Sequence, residues 1–78
     1  MKSLYYAYMH HEKIVSINVV NNGIIIKRWC FNWTGSTGDK MFIDDDDWIG
    51  DKLERYIQLN RKLNIIEISE AEAFELLL

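Results

Sequence analysis

The sequence predicts an α+β domain. The expected layout is an antiparallel β-meander of three or four strands with one long helix packed on a face, then a short strand and a C-terminal helix. Three observations predict it. Two β-branched runs flank Asn22-Gly23, a later stretch repeats apolar residues at helical spacing, and Ser69 with Glu72 opens a second helix.

Ser3 to Met9 (SLYYAYM) has high β propensity and reads as the first strand. Alternation puts Leu4, Tyr6 and Tyr8 on one face and Tyr5, Ala7 and Met9 on the other. His10-His11-Glu12 reads as the turn into a hairpin of Lys13 to Asn21 and Ile24 to Trp33. Asn-Gly between such runs is the strongest short-range hairpin signal.

Two registers compete for that hairpin. A two-residue loop, Asn22-Gly23, mixes polar and apolar residues on both faces. A three-residue loop, Asn21 to Gly23 with Gly23 left-handed as a G1 bulge, pairs Val20 with Ile24. It gathers Val15, Ile17, Val19, Ile25, Lys27, Trp29, Phe31 and Trp33 on one face. The other face then holds Ser16, Asn18, Val20, Ile24, Ile26, Arg28, Cys30 and Asn32. A one-residue slip moves a strand's side chains to the opposite face, so apolar segregation selects the three-residue loop. The apolar members of the first face are the expected core, with Lys27 reaching for its rim.

Residues 34–39 (TGSTGD) form the loop-like cluster, and Lys40 to Ile43 a short further strand. The expected long helix runs from about Asp46 to Leu63. Ile49, Leu53, Tyr56, Ile57, Asn60 and Leu63 make its buried stripe, and Trp48 sits at its first turn. Aspartates at its start and Arg61-Lys62 at its end suit the helix dipole. Ile65 to Ile68 reads as a short strand. Ser69-x-x-Glu72 is a capping box for a helix from Glu70 to about Leu77, with Phe74, Leu77 and Leu78 as its expected buried side.

The chain of 78 residues reads as a single domain, 1–78, with a core small enough that oligomerisation is a reasonable aid. Cys30 is the one cysteine, so neither a disulfide framework nor a cysteine metal site is expected. With no secretory layout and no membrane-spanning stretch, a cytoplasmic setting is expected. Net charge is −3, unevenly spread. Residues 1–43 carry five cations against two carboxylates, and residues 44–78 carry ten carboxylates against four cations. That distribution argues against duplex-DNA binding, which needs a concentrated basic surface.

The motifs exclude more than they assign. Starting from Asp44, the aspartate run lacks the alternation, central glycine and terminal glutamate of an EF-hand. TGSTGDK lacks the spacing of a Walker loop. His10 and His11, as neighbours in extended chain, point apart and read as a solvated turn. Cys30 reads as a half-buried structural thiol. No nucleophile, base and orienting group can be assembled, so no enzymatic role, cofactor or metal is expected.

What remains is surface. Asp44, Asp45, Asp46, Asp47, Asp51 and Glu54 form a carboxylate ledge, with Trp48 as an apolar anchor. In size, acidity and hairpin-plus-helix layout over the whole chain, the protein resembles short acidic α+β proteins that bacteriophages encode to block host defence proteins, anti-CRISPRs among them. That likeness rests on no motif and assigns no residue. The leading expectation is a non-enzymatic binding or inhibitor protein whose acidic surface occupies a basic, nucleic-acid-handling surface of a partner protein.

Two alternatives stand beside it. One is a homodimer or higher oligomer that sequesters a nucleotide-like ligand with Arg28, Trp33, Tyr6 and Tyr8. The other is a structural subunit of a larger assembly.

Overall fold

Asn22 and Gly23 both adopt left-handed backbone, with φ of 52° and 76°, as a two-residue type I′ hairpin turn requires. The computed structural model describes residues 2–33, 40–44, 46–61 and 64–78; for residue 33 and residues 40–44 the description is of the backbone. Strands β1 (Leu4–His10), β2 (Lys13–Asn21), β3 (Ile24–Trp33) and β4 (Lys40–Asp44) follow one another as an antiparallel meander. Strand β5 (Asn64–Ile68) returns to pair antiparallel with β1, which gives the order β4-β3-β2-β1-β5. The α+β meander of the sequence reading is therefore present. Its hairpin register is not.

Asn21 faces Ile24 and Val20 faces Ile25, so the loop has two residues and the expected three-residue loop does not form. Asparagine tolerates the left-handed region, so Asn22 and Gly23 close the turn between them. The slip that apolar segregation demands occurs further on. Val19 faces Lys27, leaving Ile26 as an extra residue, a β-bulge. Ile17 and Trp29 still face each other on the expected side, but Ile25 joins Val20 on the opposite face.

A second irregularity follows the same logic. Tyr8 faces Ser16 while Met9 faces Ile14, so Val15 is extra. Ile14, not Val15, supplies the buried side chain there.

Both faces of the sheet are covered. On the first, Ala7, Ile14, Ile17, Phe31 and Ile68 pack with Ala73, and Tyr5, Met9, Trp29, Leu76 and Leu77 border them. The covering helix is α2 (Glu70–Leu76), opened by the expected capping box: Glu72 N–H donates to Ser69 Oγ at 3.0 Å, and Ser69 N–H donates to Glu72 Oε1 at 3.1 Å. Its buried side is Ala73. Phe74 and Leu78, expected inside, are 52% and 96% exposed.

The second face holds Tyr8, Val20 and Ile25 under Tyr56, with Trp48, Leu53, Ile57 and Ile65 around them. Tyr56 belongs to α1 (Leu53–Leu59), which has only seven residues. The helix expected from Asp46 to Leu63 fails at its start for a backbone reason. Gly50 has φ of 89°, and the Lys52 backbone is extended.

The polar groups of residues 50–53 bond to β3 instead. Gly50 N–H donates to Ile25 O at 2.8 Å, Ile25 N–H to Asp51 O at 2.9 Å, and Leu53 N–H to Gly23 O at 2.9 Å. The outer edge of β3 is thus paired twice, by β4 along Trp29–Trp33 and by residues 50–53 near the hairpin turn. Sheet pairing overrides a helical period that is real in the sequence. Of the expected stripe, Tyr56 is buried, Leu53, Ile57 and Asn60 are half-buried, Ile49 is exposed, and Leu63 lies outside the described residues.

Candidate functional site

The acidic stretch lies between the two segments that pair with β3. Asp44 ends β4 opposite Trp29, and residues 50–53 rejoin β3 near its first residues. Residues 46–49 form a loop between them. Two consecutive turns shape it, with Ile49 N–H on Asp46 O at 3.2 Å and Asp51 N–H on Trp48 O at 3.1 Å. Asp46 and Asp47 are exposed on this loop, as is Glu54 at the start of α1.

Asp51 is more engaged. Its Oδ1 accepts from the Lys52 N–H at 3.0 Å, and its Oδ2 pairs with Arg55 Nη1 at 3.1 Å. The Asp44 side chain and the whole of Asp45 lie outside the described residues. Trp48 turns inward: its ring meets the Tyr56 ring edge-on at 4.9 Å between centroids. It anchors the loop to its own domain and is itself half-buried.

Beneath α1 the second face holds polar groups that the sequence reading left facing out. Ser16 and Asn18 have no exposed surface, and Arg28 is 6% exposed. Tyr56 joins them. Arg28 Nη2 donates to the Tyr56 hydroxyl at 2.9 Å, and the Tyr56 and Ser16 hydroxyls share a hydrogen bond at 3.1 Å. Asn18 Nδ2 also donates to Ser16 Oγ, at 3.1 Å. The guanidinium carbon lies 4.9 Å from the Tyr56 ring centroid, a cation–π distance.

At the far end of α1, Tyr8 donates its hydroxyl proton to Asn60 O at 3.0 Å, and its ring meets Tyr56 edge-on at 4.6 Å. Position alone hid this network from the sequence reading. Serine, asparagine and arginine at alternating hairpin positions look like a solvated face until a helix with a tyrosine lands on it.

Residues weighed for a nucleotide-like ligand are therefore divided. Arg28 and Tyr8 are buried and bonded to α1, so no ligand reaches them without displacing that helix. Tyr6 is half-buried on the same face, and the Trp33 side chain lies outside the described residues. His10 and His11, expected to point apart, bring their rings to 4.3 Å between centroids, tilted by 57°, at the β1–β2 turn, where His11 has φ of 56°. With Glu12, Lys13, Ile14, Val15 and Phe31 they line an open depression of 710 Å³. Among the described residues, no three His, Cys, Asp or Glu side chains are grouped to hold a metal ion. None of the described helices is long and apolar enough to cross a membrane.

Two ionisable groups on the second face are shifted. Burial pushes the Cys30 thiol above its usual 9.0; Arg28 opposes this and Asp47 adds to it. Burial, and after it the neighbouring Tyr56, raises the Tyr8 phenol above 10.0. Both groups lose a proton less readily folded than unfolded. Their contribution to stability is therefore complete below the unfolded values and lost as pH rises through the folded ones. The urea midpoint is expected to hold from pH 7 to about pH 9 and then fall, with the Cys30→Ala variant delaying the onset. A midpoint unchanged up to about pH 11 contradicts this assignment.

No family model matches the chain, and no curated protein or solved structure matches it either.

Proposed function

We propose that this protein binds a partner protein through the acidic loop and first turn of α1, occupying a basic surface of the kind that handles nucleic acid. The observation that carries the reading is the way the loop is held. Backbone hydrogen bonds from residues 50–53 to Gly23 and Ile25 tie one end to the sheet, and β4 ties the other. Trp48 on Tyr56 fastens the middle. Residues 46–54 carry four carboxylates against Lys52 alone, and Asp46, Asp47 and Glu54 face solvent. Charges presented on a pre-ordered segment lose little entropy on docking, and they steer encounter with a surface of opposite sign.

A pull-down from cells with the tagged protein, read by mass spectrometry, tests this. The expected partner has a basic nucleic-acid-binding surface and is released as salt rises from about 0.1 M to about 1 M. Asp46→Lys with Asp47→Lys should weaken its retention about tenfold or more, on the order of 1.4 kcal/mol. A partner kept equally by the wild type and the double variant sinks the reading.

A further inference from the structure

Strand β5 is an edge of the sheet, paired on one side with β1. It carries neither proline nor lysine, and its one charged side chain is Glu67. We propose that β5 pairs antiparallel with β5 of a second copy of this chain, joining two five-stranded sheets into one continuous sheet about a two-fold axis at Ile66.

The register follows from the strand itself. In antiparallel pairing, residues directly opposite share a face, so a two-fold strand pair must match positions of the same parity. Centring on Glu67 sets like charges against each other. Centring on Ile65 leaves Ile68 beyond the partner strand. Centring on Ile66 pairs the whole of Asn64–Ile68 with itself: Ile66 meets Ile66, Ile65 meets Glu67, and Asn64 meets Ile68.

Charge agrees with that choice. Arg61 precedes the strand, while Glu70 and Glu72 follow it, and all three are exposed. Antiparallel pairing sets the strand end that Arg61 precedes in each copy beside the strand end that Glu70 and Glu72 follow in the other, a long-range attraction between opposite charges carried over opposite faces of the sheet. Apolar exposure agrees as well. Ile66 is 51% exposed and Phe74 of α2 is 52% exposed. A two-fold axis perpendicular to the sheet keeps both α2 helices on the same side, flanking the paired strands and their Ile66 side chains. The acidic loop of residues 46–49 is tied to β3, on the other side of β2 and β1 from β5, so the pairing leaves it open.

Sedimentation equilibrium of the full chain should return twice the 9.3 kDa mass, and Ile66→Lys should return 9.3 kDa with an unchanged circular dichroism spectrum. A covalent readout fixes the register. In a Cys30→Ala background, Ile66→Cys should oxidise to a cross-linked dimer, because opposite residues lie within disulfide reach. Glu67→Cys should not, because its thiols are offset along the strands. A 9.3 kDa species at every concentration overturns the proposal and leaves the edge to a strand of another protein. A dimer that survives Ile66→Lys, or one that cross-links equally through Glu67→Cys, overturns it too.

Discussion

Tyr56→Ala is expected to remove most of the stability of this protein. Truncating a buried aromatic typically costs about 3–5 kcal/mol. A domain of this length has only about 4–12 kcal/mol in total. The Tyr56 ring is 2% exposed and touches Tyr8, Trp48 and the Arg28 guanidinium, so alanine leaves a void bordered by all three. It also strips an acceptor from a buried cation and a partner from Ser16.

The melting temperature should fall by roughly 15–30 °C on the scale for small domains. Tryptophan emission should shift to the red as the Trp48 ring loses cover. Tyr56→Phe separates the two contributions. It keeps the ring contacts and deletes the hydroxyl, at an expected cost of about 1–3 kcal/mol for leaving Arg28 and Ser16 without it. If phenylalanine proves as costly as alanine, the hydroxyl dominates. If phenylalanine is neutral, the hydroxyl network contributes no net stability.

The second large effect separates two adjacent isoleucines. Ile25 has no exposed surface and packs with Tyr8, Val20 and Tyr56, so Ile25→Ala should cost about 2–5 kcal/mol. Ile26 is the bulge residue and 45% exposed, so Ile26→Ala should cost no more than about 1 kcal/mol. Urea denaturation of both variants checks the pair, with midpoints compared at equal slope. Under the three-residue loop, Ile25 would sit among Ile17 and Trp29 on the first face. Double-variant cycles of Ile25 with Val20 and of Ile25 with Ile17 therefore read the register directly. Coupling is expected with Val20 and not with Ile17.

That contrast marks where sequence reasoning reached and where it stopped. The hairpin strands and the place where the chain reverses were legible because Asn-Gly and β-branched runs are local signals; the length of the loop was not. The apolar partnership of Ile17 with Trp29 and Phe31 was legible too, since segregation demands one slipped residue. The site of the slip was not. Ile24, Ile25 and Ile26 are chemically alike, so nothing local says which becomes the bulge.

The long helix was over-read because Ile49, Leu53 and Tyr56 keep helical spacing, and aspartates suit a helix start. The decisive partners of residues 50–53 are backbone groups some 25 to 30 positions earlier, near Gly23 and Ile25, and periodicity carries no trace of them. At the candidate site, Asp46, Asp47 and Glu54 could be placed at the surface from their charge alone. Whether Trp48 pointed out or in, and whether Ser16, Asn18 and Arg28 met water or a tyrosine, depended on which sheet face the helix chose.

The place of β1 in the sheet has a consequence for synthesis. Tyr5 pairs with Val19 on one side and with Ile68 on the other. A growing chain therefore closes one side of its first strand early and must wait for about 50 further residues, from Val19 to Ile68, to close the second. At ordinary translation speeds of about 5–20 residues per second, that interval is roughly 2–10 s. Throughout it, a strand reading Leu-Tyr-Tyr-Ala-Tyr-Met offers its backbone to any neighbouring nascent chain of like sequence. The half-made chain on the ribosome is the form of this protein most open to misassembly, and its hazard ends when residues 64–68 arrive.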